Sequence, residues 1–351
     1  MSSTSLTGAE TPLREVFKYV AEDAIGVLAW SPTGDRIAFG SLAGEVIVID
    51  LSTQKPILSI SDAHMMGTQA LAWSPDGSKI VSGGCDGKVK IWDIAFGTSC
   101  GEYAFKGSWV NHLLWGEFEK GTQKKGFIIA VAGKKIACLQ DDGVLVHAYP
   151  DHPFGIEDLT WRPKSAQFSV SSHGGVSLWS VMKPKLERTY EWKNPAIFHR
   201  WSPDGQWIAA GGQDGSVHIW ISKSGADFHM GGYMRKVEKL SWHPGGRWLA
   251  TPNGGNIAIW DCSPPGPEGR VPDEYAWHEK NVVSLCYQFK GDLLASGGEE
   301  GNVAFWLPQK RDFPVGKLAL QSSVLQMAWR PDDQAIAVGL QSGEVRVFDR
   351  G

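Results

Sequence analysis

Apolar and polar residues alternate along this chain in short runs, separated every few positions by turn formers. Over 88–92, Val89 and Ile91 fall on one side of an extended chain, Lys88 and Lys90 on the other. Over 216–220, Val217 and Ile219 oppose Ser216 and His218 in the same way. A period of two predicts β-strands with one face turned inward. The runs are joined by Ser31-Pro32-Thr33-Gly34, Ser74-Pro75-Asp76-Gly77, Ser202-Pro203-Asp204-Gly205 and His243-Pro244-Gly245-Gly246. Proline presets one turn dihedral and glycine accepts the positive one, so these read as tight hairpins. The pattern predicts an all-β chain.

The pattern also repeats. The first apolar run of each unit ends at an aromatic anchor: Trp30, Trp73, Trp115, Trp161, Trp201, Trp242, Tyr287 and Trp329. Their spacings of 43, 42, 46, 40, 41, 45 and 42 match the period of a propeller with four strands per blade. A second strand follows and often ends in a small-residue pair such as Gly83-Gly84 or Gly297-Gly298. A third strand often ends at tryptophan, as at Trp92, Trp179, Trp220, Trp260 and Trp306. Eight anchors predict eight four-stranded blades, with seven as the alternative. The unit around 128–139 is degenerate and is counted on its spacing.

These residues resemble the WD40 family, whose Trp-Asp pair stands at Trp92-Asp93 and Trp260-Asp261. The resemblance covers about residues 13 to 349. It implies a β-propeller, with residues 13–351 as one domain after a flexible segment 1–12. It also implies that the unpartnered strand 14–20 becomes the outer strand of the last blade and closes the ring, hiding edges that invite aggregation. Within blades it implies a buried His–Ser–Asp–Trp network: His64, Ser82, Asp86 and Trp92 in repeat 2, and His278, Ser296, Glu300 and Trp306 in repeat 7. Repeat 4 offers His152, Ser169 and Trp179, with His173 in the acidic position. In repeat 5, Trp192, Ala210, Asp214 and Trp220 replace most of the set.

Composition changes the picture in a few places. The chain has 351 residues, beyond the usual size of one conventional core, and a repeat array escapes that limit. Seventeen tryptophans are many, and twelve occupy the two repeat positions, where packing between blades is the expected role. A net charge of −4 gives no global case for nucleic acid or an anionic membrane. No apolar run reaches the roughly 20 residues that span a bilayer, and the N-terminus lacks a secretory pattern. Five scattered cysteines with no CxxC suit a reducing cytosol, so a cytoplasmic monomer is expected.

Chemistry-bearing motifs are absent: no GxSxG, no Walker A, no HExxH and no EF-hand loop. No catalytic residue and no cofactor is expected. His152 and His173 could form part of a transition-metal site, although a third ligand is missing nearby. The bottom-face stretches 119–127, with Lys120, Lys124 and Lys125, and 261–272, rich in proline, are expected to be long loops, the second extended and stiff. The family's usual contact surface is the top mouth of the channel. Alignment brings Met66, Phe154, Asn194, Arg235, Lys280, Gln213 and Glu299 there, a mixture suited to a protein or peptide partner. The expected function is a non-catalytic scaffold; the alternative is a metal-handling or small-ligand propeller using the blade 4 histidines.

Overall fold

The computed structural model describes residues 13–120 and 123–350, and every regular element among them is a strand. Each repeat unit is an antiparallel meander. In unit 2 its strands are Thr68–Trp73, Lys79–Gly84, Lys88–Asp93 and Thr98–Ala104, paired in that order. The strands that end at the anchors lie innermost and succeed one another around an axis. The last of them, Val324–Trp329, packs against the first, Ile25–Trp30.

Hydrogen bonding groups the strands into seven sheets, six of four strands and one of six. The larger sheet runs from Ile156 to Met230 and holds two anchors, Trp161 and Trp201. Two long strands cause the merger. Gln167–Ser180 folds back on itself at Gly174 and Gly175, whose φ of 102° and 114° disfavour a side chain. Val181 N there donates to Ala166 O at 3.0 Å, as Ile94 N does to Ser78 O in unit 2. Leu186–Trp201 then passes unbroken from the outer edge of unit 4, where Leu186 faces Trp179, to the inner edge of unit 5, where Trp201 faces Ile208. Counted by sheet, the propeller therefore has seven members, the alternative count, instead of eight separate blades. The eight repeat units persist as eight inner strands.

The ring closes as expected. Leu13–Val20 runs antiparallel to Glu344–Arg350, with Leu13 opposite Arg350 and Val20 opposite Glu344. Phe17 is buried among Ile37, Phe39 and Val347. Lys18–Glu344 at 2.6 Å and Arg346–Glu15 at 3.2 Å lace the exposed side; such surface pairs add little each.

Three expectations are corrected. The third strands are covered on both faces, because each unit is sandwiched between neighbours; Ser216 and His218 are buried like Val217 and Ile219. The stretch 119–127 is mostly ladder: Val110–Lys120 and Gln123–Ala132 pair out to Lys120 opposite Gln123. The side chains of 118–125, hence the three lysines, and the segment 1–12 lie outside the described residues. The stretch 261–272 is folded onto itself, not extended. Arg270 Nη1 donates to the Asp261 carbonyl at 3.0 Å and to Ser263 Oγ at 2.8 Å.

Candidate functional site: the channel and its upper face

Units 2 and 7 carry the same buried network. His64 Nε2 lies 2.7 Å from Ser82 Oγ and Nδ1 3.0 Å from Asp86. Trp92 Nε1 donates to the same serine at 2.8 Å. In unit 7, His278 lies 2.7 Å from Ser296 and 2.6 Å from Glu300, and Trp306 donates to Ser296 at 2.8 Å. Burial pushes the pKa of both histidines down, outweighing the carboxylates beside them. Every ring nitrogen is engaged, so the role of these groups is to satisfy one another inside the blade.

Units 4 and 5 depart from that scheme. Ser169 is taken by residues of unit 5: His199 Nε2 at 2.7 Å and Trp201 Nε1 at 2.8 Å. His152 turns instead to Ser177 Oγ at 3.2 Å and the Phe154 carbonyl at 3.0 Å, and Trp179 Nε1 has no partner among the described residues. His173 packs on the Phe154 ring, centroids 4.8 Å apart. His152 is thus occupied through both nitrogens and does not share a pocket of ligands with His173. No group of three or more His, Cys, Asp or Glu among the described residues is arranged to hold a metal. In unit 5, Trp192 packs on His218, which stacks on Trp220 at 4.5 Å and lies 2.6 Å from Asp227.

The inner strands enclose an upper cavity of about 870 Å³. Its charged lining is balanced, with Glu157, Asp158, Glu238 and Glu299 against Arg200, Arg235, Lys236 and Lys239. Asp158 is the hub. It accepts from Arg200 Nη1 at 2.7 Å and from the His199 backbone N–H at 3.0 Å, and lies 3.2 Å from His199 Nδ1. Burial alone would raise its pKa, but Arg200 and His199 outweigh it and hold the carboxyl far below its usual range. Asp158, His199 and Ser169 follow the order of a hydrolase triad. Ser169, however, is fully buried and already accepts the Trp201 indole N–H, so its oxygen has no route to a substrate. This chain of bonds holds unit 4 to unit 5.

The aligned rim residues are not all brought together. Gln213, Arg235 and Glu299 line the upper cavity; Met66, Phe154, Asn194 and Lys280 do not. Met66 is 74% exposed and Phe154 42%. Arg235, Lys280 and Gln213 face solvent, whereas Asn194 donates to Asp214 and Glu299 accepts from Asn281 at 2.8 Å. The alignment missed Met65, Trp109 and Met234, 74%, 55% and 81% exposed, because they sit one position away from the aligned site in their loops. With Leu42 they add apolar surface to this face. Leu42 lies beside the turn that carries Met66: a Cβ on the next residue, Gly67, would come within 3.2 Å of the Leu42 carbonyl.

Comparison with known proteins follows the same lines. Residues 24–118 match the family described as Anaphase-promoting complex subunit 4 WD40 domain. Residues 194–220 and 270–306 match the family described as WD domain, G-beta repeat. Protein groucho of Drosophila melanogaster is 26% identical over 190 residues, which are 52% of this chain and 24% of groucho. The chain thus spans about a quarter of that relative's length. Among solved structures, the computationally designed Ika8 protein superposes with a TM-score of 0.78 at 19% identity, covering 95% of this chain and 99% of Ika8. At that identity the likeness is one of fold.

Proposed function

Because the chain belongs to the WD40-repeat family, we propose that it is a non-catalytic scaffold that binds a protein or peptide across its upper face. The observation that carries this reading is the exposure of Leu42, Met65, Met66, Trp109 and Phe154 on loops of units 1 to 4. The ring does not need these side chains, since its strands carry the core. Methionine adapts its shape to a partner, and Met, aromatics and Arg are enriched where proteins meet. Arg235 and Lys280 follow, both exposed, on units 6 and 7, so the fitting partner combines apolar anchors with acidic residues. A cytoplasmic monomer belongs to the same reading. All five cysteines are free, and burial pushes Cys138, Cys262 and Cys286 up to about 12.

The test compares wild type with Met66→Ala/Trp109→Ala and Phe154→Ala/Arg235→Ala. Partners captured from cell extract are compared by mass spectrometry, and folding is checked by melting. Hot-spot residues cost about 2 kcal/mol or more on truncation, so capture should drop while melting is unchanged. Unaltered capture by both variants sinks the upper-face reading.

A further inference from the structure

A second cavity, of about 470 Å³, opens on the opposite end of the channel. Its volume is that of a site for a small molecule. Phe198, Arg200, Lys239 and Gln326 wall both cavities and so form the neck between them. In the lower cavity Arg200 and Lys239 are the charged lining residues, and no carboxylate joins them. Asp158 neutralises Arg200 from the upper side, so the charge left unpaired at the neck is that of Lys239.

The two cations share one aromatic ring. The Arg200 guanidinium stands 3.8 Å from the Phe198 centroid and the Lys239 ammonium 5.1 Å from it. Arg200 uses Nη1 on Asp158 and on the His199 carbonyl; Lys239 has no ion pair or hydrogen bond among the described residues. Burial and the nearby Arg200 push the Lys239 pKa down, outweighing the Asp158 and Glu238 carboxylates. Beside the cations lie apolar surfaces of Phe198, Phe289 and Met327. Tyr287 also lines the cavity, and its buried hydroxyl has no partner among the described residues.

We propose that the lower cavity binds a small organic anion, its carboxylate or phosphate between Arg200 and Lys239 and its apolar body against Phe198, Phe289 and Met327. The positive end supplies charge-assisted hydrogen bonds, stronger than neutral ones, and the apolar walls supply burial. This site is separate from the upper face, so either proposal can fail alone.

Three probes share one apolar body: 1-naphthyl phosphate, 1-naphthoate and the neutral 1-naphthalenemethanol. Titration calorimetry on the full chain should show at least one anion binding ten-fold or more tightly than the alcohol. The stronger anion identifies the preferred head group. Lys239→Met should weaken that anion about ten-fold without lowering the melting temperature, Lys239→Arg should retain it, and Lys236→Gln at the other mouth should change nothing. Equal affinity for anion and alcohol, unchanged affinity in Lys239→Met, or no binding at millimolar concentration overturns the proposal.

Discussion

The indole N–H of Trp30 donates to the carbonyl of Ala328 at 2.9 Å, across 298 positions of sequence. Trp73 does the same to Ala29 at 3.2 Å, Trp242 to Arg200 at 3.1 Å and Trp329 to Cys286 at 3.1 Å. Each acceptor is the residue just before the anchor of the preceding unit. The joint between the last unit and the first is therefore built like those at Trp73, Trp242 and Trp329. Trp30→Phe and Trp73→Phe should each lose about 1 kcal/mol from the missing bond, plus some packing. Urea melts should give similar losses; a far larger loss at Trp30 would mark the closing joint as special.

Deleting residues 1–20 removes the strand that pairs with Glu344–Arg350 and uncovers the pocket holding Phe17. The exposed edge should cause aggregation or a broad, non-cooperative melt. A melting curve matching the full chain would contradict closure by this strand.

His64→Ala should cost about 1–3 kcal/mol, because Ser82 and Asp86 lose the partner that joins them. His218→Ala should now cost a similar amount. The sequence pattern expects that ring to face outward, yet it is buried, stacked on Trp220 and bonded to Asp227. Denaturant midpoints of the two variants, read against wild type, check both.

Asp158→Asn should be among the most damaging single changes. It strips the counter-charge from Arg200, a loss of about 1–3 kcal/mol for a pair in which only the carboxylate is buried, with the remaining amide oxygen still able to accept one bond. Adding Arg200→Met to Asp158→Asn should recover part of the loss. A double-mutant cycle without that recovery would show that the pair is not the source.

Stability should fall with acid. His64, His152, His218 and His278 all have pKa values lowered by burial. The unfolded chain takes up protons at about 6.5, where the folded one does not. Their contribution is thus fully present above about pH 6.5 and is lost as pH drops through the lower folded values. Melting temperature should decline from pH 7.5 to 5, and less steeply in His64→Gln/His278→Gln.

The period, the eight anchors and the closing strand were legible because each is a local pattern copied along the chain. The networks at His64 and His278 were legible for the same reason: their members keep fixed offsets within one unit. Offsets failed at Ser169, whose partners His199 and Trp201 belong to the next unit in space. The neck was hidden for a related cause. Phe198 and Arg200 lie on Leu186–Trp201 and Lys239 just before Ser241–Trp242, and they meet only when units 5 and 6 pack side by side. The exposed Met65, Trp109 and Met234 were missed by one position, the scale on which loops vary between repeats.

The pairing of Leu13 with Arg350 sets how the ring responds to force. The two strands are antiparallel, and these residues sit at the same end of the ladder. Tension applied through them pulls perpendicular to the strands, along the hydrogen bonds, and loads one rung at a time. A ring whose melting depends on all its joints together should therefore open at low force under tension, unzipping from residue 13 toward Val20. Pulling instead between Val20 and Arg350 would shear every rung at once and meet far greater resistance.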